Sequence, residues 1–489
     1  MLNKWKQTIS KFVCFVLTCQ LFILTAWAKP DWPSDTGIMA EAGIVMDMDS
    51  GAILYGQNIH LPYYPASITK ILTALIVLEN CNLQDTVTFS TTAVNQVEAD
   101  SGNKISVVAG DELSVEDCLY SLLLVSSNQA ANALAEHTAG SIPAFVDMMN
   151  EKLAQLGCQE SHFENPSGLN NDNQYVSAYD MALIAQAAYD NETLVEISSA
   201  TTHKIAPTTQ NPDGFTLRGE HRLCVTEDPS SPYYYPEAVA GKTGYLIKAG
   251  NTLVTYAVKD NRRLISVILK GQPRQYFVDG KALLEFGFRS FQDYTVADYE
   301  SRYVTGNETI NLDKGSFQAS DLMIDPDSVI TLPNGASFED ADITLGALPE
   351  ISPDNAVALL TYSYNDRTIG TAYLLAKDGI IIDGDDSAAE AATTAFDTAN
   401  AEASLATASN AEKPQRPHKH ISVAAVLITI LIVLLVLSVI GLISCFIYSK
   451  KKEAKALAER RERRRQRLQR SGDEEEFERL LAEYKNKKK

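Results

Sequence analysis

Basic residues are scarce in the middle of this 489-residue chain. Residues 29–448 contain 23 Lys and Arg against 53 Asp and Glu, which gives this region a net charge of −30. A surface with that charge repels polynucleotides, so nucleic acid is excluded as a partner of this region.

Cysteine is sparse as well: residues 29–420 contain four, Cys81, Cys118, Cys158 and Cys224. They permit three disulfide pairings, but a core of this size needs no cross-link, and the apolar surroundings of Cys118 favour free thiols. No Cys/His spacing typical of a metal site occurs, and the sequence predicts neither a metal nor a cofactor.

The N-terminus carries the features of a secretory signal. Three lysines are followed by an apolar run over residues 12–27 that ends in the small-residue site Ala26-Trp27-Ala28. This pattern predicts a signal peptide at residues 1–28, with an uncleaved membrane anchor as the alternative.

A second apolar run, residues 421–448, has no charged residue and exceeds the roughly 20 residues that cross a bilayer. It predicts a transmembrane helix. The basic block that follows places residues 449–489 in the cytoplasm as a basic tail. We therefore expect a single-pass membrane protein with residues 29–420 outside the cytoplasm and a disordered linker at 383–420 next to the membrane.

Four apolar residues in the tail, Phe477, Leu480, Leu481 and Tyr484, have the spacing of one helical face. This face is either a docking site for a cytoplasmic partner or part of a solvated helix beside anionic lipid.

Residues 35–290 combine helical and strand patterns. A hairpin is predicted around Asp49-Ser50-Gly51, then helices that include 114–137, 143–156 and 177–189. A strand meander from residue 239 to 269 precedes a last helix at 278–286 with Gly287 as its C-cap. Helices against one antiparallel sheet define an α+β domain. Strand and turn signals alone then predict a small all-β domain at 294–382.

The run Pro65-Ala66-Ser67-Ile68-Thr69-Lys70 reads as a nucleophile at the start of a helix. Residues three apart share a helical face, with Cβ atoms roughly 5 to 6 Å apart. Lys70 can then accept the proton of Ser67, provided that burial or a neighbouring cation keeps its amine neutral. Ser and Lys at this spacing are common by chance, so other residues must support the site.

Two further segments contain residues that are unusual for the helix or strand in which they lie. Ser126-Ser127-Asn128 interrupts the helical stretch 114–137, and such groups need partners or a function, unless they form a loop between two short helices. Gly241 and Gly244 flank Lys242-Thr243 in a strand, where glycine is unfavourable and often marks the close approach of a ligand.

Together, Ser67-x-x-Lys70, Ser126-x-Asn128 and Lys242-Thr243-Gly244 resemble, in type and order, the motifs of active-site serine penicillin-recognising enzymes. Residues 163–169, 178–182, 241–250 and 281–288 are similar to the D-alanyl-D-alanine carboxypeptidases, the low-molecular-mass penicillin-binding proteins. The resemblance covers about residues 35–376.

This resemblance implies a β-lactamase/transpeptidase-like catalytic domain, an antiparallel sheet with helices and an all-helical insert. It also implies a serine-type carboxypeptidase that removes the terminal D-alanine from the peptidoglycan stem pentapeptide through an acyl-enzyme on Ser67, with β-lactams as inhibitors. Lys70 is the expected base, made neutral by the charge of Lys242. Ser126 is expected to protonate the departing D-alanine, and Asn128 to orient Lys70 and the substrate.

The expected binding residues are Lys242, Thr243, Gly244, Tyr245 and Arg274. Backbone N–H groups of Ser67 and Tyr245 are expected to hold the oxyanion, and Thr243 with a nearby cation to bind the substrate carboxylate. Arg274 is the candidate cation, although its distance to the following helix departs from the family pattern and Tyr276 falls at the usual place.

A second departure is Ser167, where many relatives have histidine; no catalytic role is expected to depend on it. Two other functions compete with the carboxypeptidase. A β-lactamase of the same fold is disfavoured because no Glu-x-x-Leu-Asn run supplies a deacylating glutamate. A catalytically dead wall-binding scaffold is disfavoured because Ser67, Lys70, Asn128 and Lys242 are all intact.

Overall fold

The computed structural model describes residues 29–34, 36–98, 101–349, 351–380 and 382. The predicted signal peptide, most of the linker, the apolar run at 421–448 and the basic tail lie outside these residues. Within the described part of the chain, no helix has the length and apolar character needed to span a bilayer.

Ten α-helices lie in this described part. In chain order they are α1 (Lys70–Asn80), α2 (Thr91–Asn95), α3 (Val115–Leu124), α4 (Asn128–Ala139), α5 (Ile142–Gln155), α6 (Ala178–Tyr189), α7 (Glu192–Ser199), α8 (Arg222–Val225), α9 (Gln275–Ser290) and α10 (Val296–Tyr299).

Seventeen strands accompany them in the same residues. They are β1 (Ala42–Asp47), β2 (Ile53–Gln57), β3 (Thr86–Thr88), β4 (Glu112–Ser114), β5 (Thr202–Ile205), β6 (Phe215–Arg218), β7 (Ala238–Leu246), β8 (Gly250–Lys259), β9 (Arg262–Gly271), β10 (Phe291–Thr295), β11 (Thr309–Leu312), β12 (Gly315–Gln318), β13 (Leu322–Ile324), β14 (Val329–Pro333), β15 (Asp342–Gly346), β16 (Ala356–Tyr364) and β17 (Arg367–Ala376).

A five-stranded antiparallel sheet in the order β2-β1-β9-β8-β7 forms the centre of the first 290 residues. Successive residues of a strand face opposite sides of a sheet. Accordingly, Ile44 and Met46 of β1 enter the core shared with the helical layer, whereas Val45 enters the core beneath α9. The predicted hairpin, the meander and the α+β class are confirmed, and β7 forms one edge of the sheet.

The last helix of this region differs from its prediction. Gly287 does not end the helix, because α9 continues to Ser290. A Cβ atom at Gly287 would lie 2.7 Å from Leu264 Cδ1 and 3.2 Å from Leu54 Cδ1. The glycine therefore allows α9 to pack closely on the sheet, a need that depends on tertiary contacts and not on the local sequence.

The helical stretch predicted over residues 114–137 is divided into α3 and α4, so the loop alternative is correct. Ser114 caps α3 by accepting a hydrogen bond from the Asp117 backbone N–H at 3.0 Å, and Ser127 caps α4 through the N–H of Ala130 at 3.1 Å. The Ser127 cap starts a new helix four residues after the first one ends, which explains the break. The break leaves Ser126 and Asn128 at the junction of the two helices.

Residues 291–376 form a second region that is rich in strands, with a four-stranded sheet in the order β13-β17-β16-β15 and its own apolar core. One contact with the first region is ionic: Arg262 donates to Asp47 at 2.9 Å and to Asp293 at 2.7 Å. The division of the chain into domains at 35–290 and 294–382 stays a prediction. Cys81, Cys118, Cys158 and Cys224 are free thiols, as expected.

Candidate active site

Ser67 lies in a single turn of 3₁₀-helix, Ala66–Thr69, directly before α1. Ala66 has a φ of +52°, a left-handed conformation that costs energy for a residue with a Cβ atom. Two hydroxyl groups hold the turn: Thr69 Oγ1 donates to the Ala66 carbonyl at 2.9 Å, and Thr252 Oγ1 of β8 donates to the Pro65 carbonyl at 2.9 Å. The strained turn is therefore fixed from both sides, and it leaves Ser67 half-buried at the surface.

Lys70, the first residue of α1, is fully buried beside this serine. Its Nζ lies 3.0 Å from Ser67 Oγ, 2.8 Å from Asn128 Oδ1 and 2.5 Å from the Ser167 carbonyl oxygen. The pKa of Lys70 is held well below its usual value, first by burial and second by the positive charge of Lys242. The expected pair is thus assembled, although burial is a larger cause of neutrality than the second lysine.

The three neighbours of this amine determine where its lone pair points. A neutral amine has two N–H donors and one lone pair, and the oxygens of Asn128 and Ser167 can only accept hydrogen bonds. Both N–H groups are therefore used by these two oxygens. The lone pair is left facing Ser67 Oγ, the one neighbour with a proton to give, which is the geometry that a general base needs.

The Ser167 carbonyl is a functional group that the sequence analysis missed. The loop carrying it is held by Asn165, whose Oδ1 accepts the N–H of Gly168 at 2.8 Å and of Leu169 at 3.1 Å. A Cβ atom at Gly168 would lie 1.9 Å from the Ala66 carbonyl oxygen, so only glycine lets the loop reach the Ser67 turn. The Asn-Pro-Ser-Gly-Leu run was the available signal, but a backbone acceptor has no sequence signature of its own.

Asn128 and Ser126 reach the site from the junction of α3 and α4. Asn128 is buried at the start of α4, in contact with Lys70 as expected. Ser126 is half-buried with a φ of +63°. Its hydroxyl makes no hydrogen bond with the residues that the structure describes, so its role as a proton donor stays a prediction.

Lys242 lies in the edge strand β7 and is almost fully buried. Its Nζ donates to the Thr243 carbonyl at 2.9 Å. Burial lowers the pKa of Lys242 to about 8, against the opposing effect of the nearby carboxylate of Glu220. At neutral pH Lys242 is mainly charged, so it can act on Lys70 as a cation.

The outer edge of β7 carries backbone groups that do not pair with β8. The N–H and C=O of Gly241 both bond to Ser198 Oγ of α7 at 3.2 Å, so Gly241 faces away from β8. Backbone groups alternate in direction along an antiparallel strand, and the pairing with β8 is regular over this stretch. Thr243 and Tyr245 therefore also face outward, which places the Tyr245 N–H at the edge that Ser67 approaches.

Gly244 makes this approach possible. A Cβ atom there would lie 2.8 Å from the Ser67 backbone nitrogen and 2.4 Å from Thr252 Oγ1. The predicted close approach therefore exists, but the nucleophile's own turn makes it. Gly241 likewise lacks room for a Cβ atom, which would lie 2.6 Å from Nε2 of the buried His221. The contact at Gly244 brings the Ser67 backbone nitrogen against β7, one residue before Tyr245.

Arg274 makes no hydrogen bond with Lys242, Thr243 or Tyr245. Arg274 is exposed at the start of α9, and it makes no ion pair with the described residues. Tyr276, at the place that the family pattern gives to a cation, is partly buried. The role assigned to Arg274 stays a prediction.

Another cation, Arg222, lies near Tyr276. Burial raises the pKa of Tyr276 to about 12, and the positive charge of Arg222 is the largest effect opposing this rise. The Arg222 guanidinium lies 5.1 Å from the centre of the Tyr233 ring. Arg222 follows His221, which packs under Gly241 of β7, so it is a second candidate that the sequence analysis did not consider.

The fold and the site together are those of a serine hydrolase, with Lys70 Nζ 3.0 Å from Ser67 Oγ. In the described residues, no group of three His, Cys, Asp or Glu side chains is placed to hold a metal ion.

Comparisons with known proteins identify the family. A model of the D-alanyl-D-alanine carboxypeptidase family matches residues 29–272. The D-alanyl-D-alanine carboxypeptidase DacA of Haemophilus influenzae is 32% identical over 355 residues, which cover 69% of this chain and 84% of the relative. DacF of Bacillus subtilis is 30% identical over 281 residues, covering 56% and 69%. The chain therefore belongs to the D-alanyl-D-alanine carboxypeptidase family and is a serine-type hydrolase.

A solved structure supports the fold over a longer stretch. Penicillin binding protein 6B from Escherichia coli matches with a TM-score of 0.53 at 23% identity, covering 72% of this chain and 99% of that chain. This likeness confirms the penicillin-binding-protein type of α+β fold.

Proposed function

We propose that this protein removes the terminal D-alanine from peptidoglycan stem pentapeptides through an acyl-enzyme on Ser67, and that β-lactams acylate the same oxygen. The observation that carries the proposal is the environment of Lys70. Its two fixed acceptors, Asn128 Oδ1 and the Ser167 carbonyl, leave the lone pair of a neutral amine facing Ser67 Oγ at 3.0 Å.

In the first step Lys70 takes the proton of Ser67 while Oγ attacks the carbonyl carbon of the last peptide bond. The negative charge that develops on the carbonyl oxygen is stabilised by the backbone N–H groups of Ser67 and Tyr245. Ser126 passes a proton to the nitrogen of the departing D-alanine, and Lys70 returns its proton to Ser126. The carbon–nitrogen bond breaks, and water then hydrolyses the ester.

Specificity for a chain end requires recognition of the terminal carboxylate. Thr243, beside the buried cation of Lys242 on the outward edge of β7, is the expected hydroxyl donor. A guanidinium group from Arg274 or Arg222 completes this subsite. Family membership and the lysine geometry favour the carboxypeptidase over the β-lactamase and over the dead scaffold.

The central experiment incubates the full-length protein, solubilised in detergent, with a synthetic stem pentapeptide and measures D-alanine release by mass spectrometry. We expect release that stops after preincubation with benzylpenicillin and is absent in Ser67→Ala. Release by Ser67→Ala, or its covalent labelling by a fluorescent penicillin, contradicts the proposal. Rapid turnover of penicillin favours the β-lactamase, and failure of the wild type to be labelled favours the scaffold.

We also propose that the catalytic region works on the outer face of a bacterial cell membrane. The signal-like N-terminus, the charge-free run at 421–448 and the basic residues after it support this topology. Protease treatment of intact spheroplasts tests it: an epitope placed after residue 489 must be protected while the catalytic region is digested.

A cytoplasmic partner of the tail is a separate proposal, supported by the apolar face of Phe477, Leu480, Leu481 and Tyr484. A pulldown with residues 450–489 tests it. Recovery of nothing beyond what a scrambled peptide recovers rejects it.

A further inference from the structure

The direction in which a substrate lies along β7 follows from the groups already placed. Thr243 binds the terminal carboxylate and the Tyr245 N–H binds the carbonyl oxygen of the bond that is cut, so the substrate runs past these residues in that order. The acyl part of the peptide therefore continues beyond Tyr245, toward the turn between β7 and β8. Lys248 lies in that turn, three residues after Tyr245.

An ion pair lies at this end of β7. Lys248 Nζ donates to Asp172 Oδ1 at 2.5 Å, and Tyr64 Oη donates to the same oxygen at 3.4 Å. Lys248 Nζ also lies 5.4 Å from the centre of the Tyr64 ring. Tyr64 is three residues before Ser67, so the pair connects the nucleophile's segment, the loop after residue 169 and the turn after β7.

The pair has unused capacity for hydrogen bonds. Asp172 Oδ2 bonds to none of the described residues, and the Lys248 ammonium group has three donors, of which one is used by Asp172. The two side chains are 80% and 50% exposed, so a ligand can reach both. Together they present a carboxylate oxygen and ammonium protons side by side.

We propose that Asp172 and Lys248 recognise the side chain of the third stem-peptide residue, and that they favour one ending in an ammonium and a carboxylate on the same carbon. Asp172 Oδ2 accepts from the substrate ammonium, and Lys248 donates to the substrate carboxylate. This rests on the proposed function, because the position of the acyl chain depends on the roles of Thr243 and Tyr245.

The test uses three pentapeptides that differ in the third residue alone: meso-2,6-diaminopimelate, L-lysine and Nε-acetyl-L-lysine. The full-length protein should show the highest kcat/KM with the first and the lowest with the third. Since both side chains are exposed, each favourable charge pair should contribute no more than about fivefold.

Two variants separate the two contacts. Asp172→Asn should remove the preference for lysine over acetyl-lysine, while Lys248→Met should remove the preference for diaminopimelate over lysine. The matched control is Asp342→Asn in the strand-rich region, because Asp342 is 72% exposed and paired with Lys29 at 3.2 Å. This control should leave all three kcat/KM values unchanged.

Equal kcat/KM values for the three peptides in the wild type, or ratios that stay unchanged in both variants, overturn the inference. Failure of the proposed function looks different, because it abolishes release from every peptide and acylation by benzylpenicillin. Acylation rates in Asp172→Asn and Lys248→Met should match the wild type, since penicillin has no third stem residue. A loss of acylation in both variants also overturns the inference, because the pair then supports the fold of the site and not the choice of substrate.

Discussion

Replacement of Gly244 by alanine tests whether the edge of β7 and the Ser67 turn form one oxyanion site. The added Cβ atom would lie 2.4 Å from Thr252 Oγ1, 2.8 Å from the Ser67 nitrogen and 3.1 Å from Ala66 Cβ. Since ordinary contacts of a Cβ atom exceed about 3.4 Å, the strand must move away from the turn by roughly half an ångström or more.

This movement separates the backbone N–H groups of Ser67 and Tyr245. Loss of one such donor slows an acyl transfer by about 10²- to 10³-fold, whereas overpacking costs about 1 to 3 kcal/mol of unfolding free energy. Gly244→Ala should therefore fold with a reduced Tm, and its acylation by a fluorescent penicillin should be slower by about two orders of magnitude. The kinetic defect should persist at temperatures far below Tm.

The control is Gly346→Ala in β15, where the added Cβ atom would meet one atom, the Leu359 carbonyl oxygen, at an ordinary 3.7 Å. This variant should acylate at the rate of the wild type. If Gly244→Ala also acylates at that rate, β7 and the Ser67 turn do not act as one oxyanion site, and the reasoning is refuted.

Three other predictions concern charge. The rate of acylation by penicillin should rise with pH as Lys70 loses its proton, with a midpoint well below pH 10.5. The rate should fall near pH 8 as Lys242 loses the charge that binds the penicillin carboxylate. A single rise centred near pH 10.5 contradicts both statements. Arg222→Ala should raise KM about tenfold for a peptide with a free terminal carboxylate, and it should leave KM unchanged for the same peptide with a terminal amide. Arg274→Ala should change neither KM value. The reverse result restores Arg274 as the cation. Burial raises the pKa of Asp47 to about 6, so its ionised form is disfavoured in the folded state. The free energy of unfolding should therefore fall by on the order of 1 to 3 kcal/mol as pH rises from about 4 to about 6. Urea unfolding of Asp47→Asn should lack this dependence on pH, and the same dependence in both proteins contradicts the prediction.

Side chains that carry chemistry were predictable because their identity and spacing are visible. Ser67 and Lys70 were placed by helical periodicity, and the motif order added Asn128 and Lys242, which the structure brings around one amine. The role of Arg274 stays a prediction. The positive φ of Arg274 at the start of α9 turns its loop in a way that no local pattern indicated, so the position of this cation could not be derived from spacing.

The fold was predictable at the level of elements but not at their junctions. Strand alternation and helical stripes predicted the hairpin, the meander and the helices on either side. The break between α3 and α4 and the continuation of α9 through Gly287 depend on competing local and tertiary effects. The Ser127 cap begins α4 as a separate helix, whereas the nearness of Leu264 and Leu54 explains a glycine inside α9.

This chain has serine at position 167, where many relatives have histidine, because the site uses the backbone of this residue and not its side chain. Lys70 uses the carbonyl oxygen of Ser167, which every amino acid supplies, while the Ser167 hydroxyl donates to Asn165 Oδ1 at 3.0 Å within its own loop. What the site requires of this segment is a carbonyl at one place. Asn165, through its bonds to the loop backbone, and Gly168, through its missing side chain, supply that placement. The residue between Pro166 and Gly168 can therefore change without changing the base.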